Sequence, residues 1–159
     1  MAIKMRETNS SDLEWIRNLF IKNWGGDFIV SRGKIQRPEN LEGVVAEENG
    51  EKVGLATFKV ENNEMELVTL DSLKQGRGVG KMLVNVVINM AKERKVKRLW
   101  LITTNDNLNA LKFYQRNNFH LVKVYPGAVE ESRKIKPQIP EIGEDGIPIR
   151  DEIELEMVF

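Results

Sequence analysis

A mixed α/β fold, one sheet with helices on its faces, follows from three observations on the 159 residues. Apolar residues change period along the chain, recurring at helical spacing in some segments and in short β-rich runs in others. Hairpin turn signals join three of those runs into an antiparallel meander. A glycine-rich loop then leads from the meander into an apolar helix, after which strand and helix alternate. The order read along the chain is β-α-β-β-β-(glycine loop)-α-β-α-β-loop-β.

Ala2–Arg6 is the first strand candidate. Ser11 with Glu14 three residues later fits a capping box, and Leu13, Ile16, Leu19 and Phe20 then recur at helical spacing. That helix is expected to stop near Trp24, where Gly25-Gly26 break it. Asp27–Leu41 is the least patterned stretch, with Phe28-Ile29-Val30 as a short strand and Arg37-Pro38 as a turn. The meander comprises Val44–Glu48, Lys52–Val60 and Met65–Leu70, with turns at Asn49-Gly50 and Asn62-Asn63.

After the glycine loop, Val79, Leu83, Val86, Val87 and Met90 form a helical stripe lasting to about Arg94. Arg98–Thr103 contains an apolar run, as expected for a strand buried on both faces. Leu108–Arg116 reads as helix with Leu111 and Tyr114 on one side, and Phe119–Tyr125 as strand. Glu152–Phe159 alternates polar and apolar, which predicts a final strand. Pro126–Arg150 lies between these strands and holds four of the five prolines, with a short helix at Ala128–Ile135 and a loop over Lys136–Pro148. Connections of this length are often functional. No repeat or linker interrupts the chain, so 1–159 reads as a single domain with 126–150 as a long insert before the last strand.

Composition removes several function classes. Lysine plus arginine (24) balance aspartate plus glutamate (24), so no bulk charge points to nucleic acid or a membrane surface. The basic clusters at Lys92–Arg98 and Arg133–Lys136 read as solvated helix ends. With no cysteine and His120 as the single histidine, disulfides, thiol nucleophiles and multi-histidine or cysteine metal sites are excluded. No apolar run nears the about 20 residues of a membrane span, and the first residues lack a signal peptide's apolar core. The expected location is therefore cytoplasmic.

The chemistry-bearing motif is Gln75-Gly76-Arg77-Gly78-Val79-Gly80-Lys81. Glycines leave the backbone bare, and the helix beginning there adds unsatisfied amides and the positive end of its dipole, which makes a phosphate cradle. A Walker A loop needs Ser or Thr after Gly-Lys, but Met82 follows Lys81. A dinucleotide fingerprint needs Gly-x-Gly-x-x-Gly after a parallel strand, and both the spacing and the upstream meander are wrong. Gln-x-x-Gly-x-Gly is satisfied at Gln75, Gly78 and Gly80.

With that loop, the downstream Asn107-Leu108-Asn109-Ala110-Leu111-Lys112-Phe113-Tyr114 followed by Asn118-Phe119 resembles the GNAT superfamily of N-acetyltransferases, over most of the chain's length. The family carries Gln/Arg-x-x-Gly-x-Gly/Ala and Asn-x-x-Ala-x-x-x-Tyr-x-x-x-Gly-Phe. Asn118 replaces the usual glycine, and asparagine is the non-glycine residue that best tolerates left-handed geometry. The resemblance implies a GNAT fold: a mostly antiparallel sheet of six to seven strands, splayed at the strand before the glycine loop and flanked by three to four helices.

It also implies the reaction: acetyl-CoA-dependent transfer of an acetyl group to a primary amine of a small molecule or peptide, by direct attack through a tetrahedral intermediate and without a metal. Amides of Gln75, Gly76, Arg77, Gly78, Val79, Gly80 and Lys81 would hold the pyrophosphate. Backbone groups of Val68–Leu70 would bond the pantetheine and the acetyl oxygen, being oriented before charge develops. Tyr114 matches the tyrosine that protonates the leaving thiolate, and Asn107 the asparagine at the cofactor, which can also cap its helix.

For the base, the resemblance favours Glu66, two residues from Val68 along the strand and expected to share its face. Glu64, a base acting through water and the absence of any dedicated base stay open, with Tyr125, His120 and Asp71 behind them. The acceptor would enter between the N-terminal helix region and the final strand. Acids of the C-terminal loop (Glu130, Glu131, Glu141, Glu144, Asp145, Asp151, Glu152) are placed to attract a cationic amine. The alternative is a GNAT-like domain that binds acyl-CoA as a sensor or scaffold without turnover. Family members are often dimers, and an exposed terminal strand can pair between chains, so a homodimer is one expected assembly.

Overall fold

The computed structural model describes residues 2–159. Among them are strands β1 (Lys4–Glu7), β2 (Ile29–Ser31), β3 (Lys34–Gln36), β4 (Glu42–Glu48), β5 (Glu51–Glu61), β6 (Glu64–Ser72), β7 (Arg98–Thr104), β8 (His120–Tyr125) and β9 (Glu152–Val158). The α-helices are α1 (Leu13–Trp24), α2 (Val79–Glu93), α3 (Leu108–Arg116) and α4 (Ala128–Ile135). Seven strands form one sheet in the order β1-β4-β5-β6-β7-β9-β8, and β2 and β3 form a separate hairpin. β1–β4, β4–β5, β5–β6 and β8–β9 pair antiparallel, while β6 and β7 run parallel at Met65↔Leu99 and Glu66↔Trp100. This is the mixed α/β class, with a mostly antiparallel sheet, that the sequence predicts. Among the described residues no helix is long and apolar enough to cross a membrane.

The backbone groups into two compact units. The first holds Glu39–Trp100 with the residues up to Leu13 and the last two; the second holds Glu14–Pro38 and Leu101–Met157.

In the first unit both predicted hairpin turns form. Asn49 and Gly50 take φ of +54° and +77°, and Asn62 and Asn63 of +54° and +60°, the two consecutive left-handed residues that a tight hairpin needs. The amphipathic α2 packs on β4, β5 and β6, burying Val79, Leu83 and Val87 of the predicted stripe. Val84 and Ala91 join them, while Val86 and Met90 are only half-buried. Contact is closest at Gly54, where a Cβ would lie 2.6 Å from Val79 Cγ1 and 2.9 Å from Leu83 Cδ1. Any side chain there would push the helix off the sheet.

The capping box is Asn9–Asp12, not Ser11–Glu14. The chain makes a short 3-10 turn at Ser10–Asp12 before α1, with Asn9 Oδ1 accepting from Ser11 N at 2.9 Å and Asp12 Oδ2 from Asn9 N at 2.8 Å. The fully buried Asp12 wins that role because Arg6 (2.9 Å) and Lys52 (3.0 Å) neutralise its carboxylate. Nor is β7 buried on both faces: Leu99 and Leu101 are buried, but Arg98, Trp100 and Ile102 are half-buried. Arg98 lies 5.1 Å from the Trp100 ring and pairs with Glu64 at 3.2 Å, so that side carries a charged and aromatic layer.

In the second unit, β2 and β3 pair Ile29↔Gln36 and Ser31↔Lys34 around a turn at Arg32-Gly33, whose φ values are +49° and +72°. The sequence shows β2 one residue early and misses β3. α4 packs against β2, and α3 against β8. At the end of α4 the buried Lys136 donates from Nζ to Trp24 O (2.5 Å) and Phe28 O (2.7 Å), capping α1's last carbonyl. Burial pushes its ammonium pKa below the usual lysine range. Asn118 takes φ +69°, so asparagine does end α3 in the left-handed geometry expected of a glycine.

Candidate active site

The first functional feature is a one-residue irregularity in β6. Thr57 pairs with Thr69 and Phe58 with Leu67, which leaves Val68 as the extra residue of a β-bulge. A bulge takes the extra residue's backbone out of the ladder and re-aims it. It also shifts the phase of the strand. Glu66, Thr69 and Asp71 stand opposite Lys59, Thr57 and Leu55, alternate residues of β5, and so share one face. Leu70 stands opposite Ala56 on the other face. The expectation that Glu66 shares a face with Val68 by two-residue alternation is interrupted at the bulge, where Val68 has no partner on β5.

The shared face carries a buried polar strip. Thr57, Glu66, Thr69 and Asp71 are all buried, and the two threonine hydroxyls bond at 2.6 Å. Val68 and Leu70 are half-buried. Of the two glutamates weighed as base, Glu66 is 4% exposed, whereas Glu64 is half-buried at the strand's start and paired with Arg98 at 3.2 Å.

β6 leads through Leu73–Gly78 into α2. Gly76 and Gly78 both take φ +70°, and a Cβ at either would meet nothing within 4 Å. Gly78 is also the N-cap of α2 and has no side chain to cap it, so the first-turn amides are not covered from within the cap. Left-handed residues alternating with ordinary ones turn successive amides toward one concavity, and the helix start adds its dipole. Gln75, Gly76, Arg77, Gly78 and Lys81 are exposed and Gly80 half-buried, while Val79 is buried and anchors the helix start in the core. Arg77 is not a bare cation: Glu48, buried at the end of β4, bonds its guanidinium, with Nη1 to Oε1 at 3.3 Å, and lies 3.8 Å from Lys74 Nζ.

In the second unit, Asn107 caps α3, its Oδ1 accepting from Ala110 N at 3.2 Å. Tyr114 follows on the buried side of that helix, edge-on to Phe113 (5.2 Å between ring centroids) and Phe119 (5.5 Å). Asn107 and Tyr114 are thus brought onto one helix, as Val68–Lys81 are onto one strand–loop–helix run.

The Pro126–Arg150 segment straps the start of α3. Asn105 Oδ1 accepts from Arg150 N (3.0 Å) and Asp151 N (2.9 Å), and its Nδ2 donates to Pro148 O (2.9 Å). The buried Asp106 accepts from Thr104 Oγ1 (2.6 Å) and Glu144 N (3.2 Å). Arg133 gathers the carbonyls of Ile139 (3.3 Å), Pro140 (2.6 Å) and Ile149 (2.8 Å). Several acids of the segment are engaged locally: Glu130 and Glu141 by Arg133, Glu131 by Lys134, Asp151 by Gly127 N and Arg150, and Glu152 by Arg32. Of the weaker base candidates, His120 is exposed, and Tyr125 donates to Glu154 Oε1 at 2.7 Å, which raises the phenol's pKa.

Asn105, Asp106, Arg133, Glu48 and Arg32 were missed from sequence. Only Arg32 left a signal there, an Arg-Gly pair that follows the short Phe28-Ile29-Val30 run. Among the described residues no group of three or more His, Cys, Asp or Glu is gathered that could hold a metal ion.

Residues 11–119 match the model of the acetyltransferase (GNAT) family. The uncharacterized protein YdhI of Bacillus subtilis (strain 168) is 40% identical over 139 residues, 87% of either chain. Among solved structures, a GNAT family acetyltransferase from Elizabethkingia anophelis with acetyl-CoA bound matches with a TM-score of 0.72 at 22% identity, over 99% of this chain and 98% of that one. A Bacillus subtilis acetyltransferase in complex with CoA matches with a TM-score of 0.70 at 20% identity, over 99% of this chain and 97% of that one. The family match covers the bulged strand, the glycine loop and the Asn107–Tyr114 helix alike, and the chain belongs to the GNAT acetyltransferase family.

Proposed function

We propose that the protein is an N-acetyltransferase that moves the acetyl group of acetyl-CoA to a primary amine of a small molecule or peptide by direct attack. The observation that carries this reading is the Val68 bulge lying a few residues before a loop with left-handed Gly76 and Gly78 at the uncapped start of α2. A diphosphate suits that loop: its oxygens are strong acceptors, and left-handed glycines at a helix start favour amides turned toward an anion. Acetyl-CoA supplies an acyl group activated as a thioester.

The chain's own groups take the remaining tasks. Amides from Gln75 to Lys81 hold the diphosphate, with Lys81 adding charge at the rim and Arg77 held beside it by Glu48. The Val68–Leu70 backbone bonds the pantetheine arm and the carbonyl oxygen that gains charge during attack, and fixed backbone donors need no reorganisation as it does so. Glu66, directly or through water, removes a proton from the ammonium so that the neutral amine can attack. Tyr114 gives its phenolic proton to the departing thiolate; phenol and thiol acidities are close enough for this to need only modest tuning. Asn107 contacts the coenzyme in addition to capping α3.

The test is thiol release from acetyl-CoA across a panel of primary amines, with the acetylated product identified by mass. Amine-dependent release is expected. A sensor or scaffold would bind the coenzyme saturably and release none.

A further inference from the structure

The glycine loop is anchored at both ends by its surroundings. Leu73 N–H donates to Val53 O at 2.8 Å, which ties the start of the loop to β5. Ser72 Oγ donates to Lys74 O at 3.1 Å. At the far end the buried Val79 seats α2 against Gly54. Between these anchors lies Arg77, the one residue separating Gly76 from Gly78, both at φ +70°. Glycine permits that geometry and is also the residue with most backbone freedom to lose. A side chain held at Arg77 therefore restrains two hinges at once.

What holds it is a buried carboxylate. Glu48 ends β4 and is 6% exposed. Its carboxylate accepts from both ends of the Arg77 guanidinium, Nη2 to Oε2 and Nη1 to Oε1, the latter at 3.3 Å. Two parallel bonds fix orientation as well as distance. Lys74 Nζ lies 3.8 Å from the same carboxylate and 3.9 Å from Glu51, the residue opposite Glu48 across the β4–β5 hairpin. Like charges directly opposite repel, and the lysine between them offsets that repulsion. The two cations flanking Gln75-Gly76 thus both lead back to one hairpin, and all of these residues belong to the first compact unit.

A carboxylate beside an anion site weakens it by repulsion. Here the guanidinium matches that charge, so the contribution left to Glu48 is order. A loop held in shape beforehand loses less freedom when its ligand binds.

We infer that Glu48 is a positioning residue, which sets the shape of the glycine loop by holding Arg77 before the coenzyme arrives. The word coenzyme rests on the acetyltransferase reading; the tie between Glu48 and the loop does not. Arg77 is bound to the hairpin, so its side chain acts on affinity through the loop backbone.

Order and charge predict opposite signs, and Glu48→Gln separates them. The substitution removes a negative charge near the loop and loosens Arg77. Positioning predicts that Kd for CoA, by calorimetry, rises about five- to tenfold, the kinetic effect sitting in KM for acetyl-CoA rather than in kcat. Glu48→Asp keeps the charge and should recover part of the loss. Arg77→Gln should weaken CoA binding to a similar extent, and E48Q/R77Q no further than the weaker single variant, because both cut the same tie. Glu51→Gln, at a side chain 69% exposed, should change Kd less than about twofold. Equal or tighter CoA binding by E48Q, or additive losses in the double variant, overturns the inference.

A second measurement needs no ligand. In NMR relaxation of the coenzyme-free protein, the Gly76, Arg77 and Gly78 amides should show order parameters of about 0.85, falling toward about 0.6 in E48Q. The Asn62 and Asn63 amides, in a turn remote in sequence from the loop, should not change. Unchanged order parameters in the loop, or an equal fall at both turns, overturns the inference. If the wild type binds neither CoA nor inorganic pyrophosphate, the acetyltransferase reading falls, and the relaxation measurement still decides the role of Glu48.

Discussion

Gly143 lies so close to Asp106 that a Cβ on the glycine would fall 2.0 Å from the carboxylate Oδ2. That contact joins the Pro126–Arg150 segment to the turn from which α3, the helix of Asn107 and Tyr114, starts. Gly143→Ala has to push the carboxylate away or lift the strap, and Ile149 Cγ1, 2.7 Å from the same point, blocks the other direction. Overpacking of this kind costs about 1–3 kcal/mol. The expected result is a lower Tm together with a lower kcat, measured by thermal melt and thiol release. A variant with unchanged Tm would show that the strap yields freely.

Gly54 makes the corresponding contact in the other unit, with Asp71 O 3.0 Å from the missing Cβ in addition to the two α2 side chains. Gly54→Ala is expected to destabilise by about 1–3 kcal/mol. Because Val79 opens α2, displacement of that helix also moves the glycine loop. KM for acetyl-CoA should rise while KM for the amine stays.

Acid should weaken the fold through Asp12. Its hydrogen bonds to Arg6, aided by Asn9 N–H and Lys52, hold its carboxyl well below the ordinary carboxylate value of about 3.8, and outweigh the opposing effect of burial. A depressed folded pKa gives stability that is fully present above the unfolded pKa and is lost as pH falls toward the folded one. Tm from this source should be flat from neutral pH to about 5 and decline below about 4. Asp12→Asn should be less stable at pH 7 and show a shallower acid decline. An identical slope in wild type and variant would remove Asp12 from the account.

Much of the scaffold was legible because local chemistry and global fold agree. Asn49-Gly50 and Asn62-Asn63 mark turns that need left-handed residues, and they take that geometry. Leu108–Arg116 and Ala128–Ile135 form over the residues read as helix. The Val68 bulge was not legible: every residue from Met65 to Leu70 suits a strand, and an extra residue changes register without changing composition. β3 was missed because Lys34-Ile35-Gln36 offers one apolar residue in three. Arg32 and Tyr125, 93 positions apart, meet through tertiary pairing that no local pattern records.

Tyr114→Phe keeps the ring between Phe113 and Phe119 and removes only the hydroxyl. As the proposed acid, Tyr114 should cost about 10²-fold in kcat when replaced, with KM for acetyl-CoA little changed. Glu66→Gln should lower kcat as well, whereas Glu64→Gln should leave it unchanged.

Gly78→Ala places a Cβ at φ +70° and alters the amide cradle while meeting no neighbour. KM for acetyl-CoA should rise about tenfold, the equivalent of about 1.4 kcal/mol of lost binding. A calorimetric titration with CoA would check the same loss without chemistry.

Carbon-labelled acetyl-CoA follows the acetyl group itself. With the enzyme and an amine acceptor, label in the amide product and free thiol should appear one to one, and neither should form without the amine. Saturable coenzyme binding with no labelled amide from any amine would contradict the account.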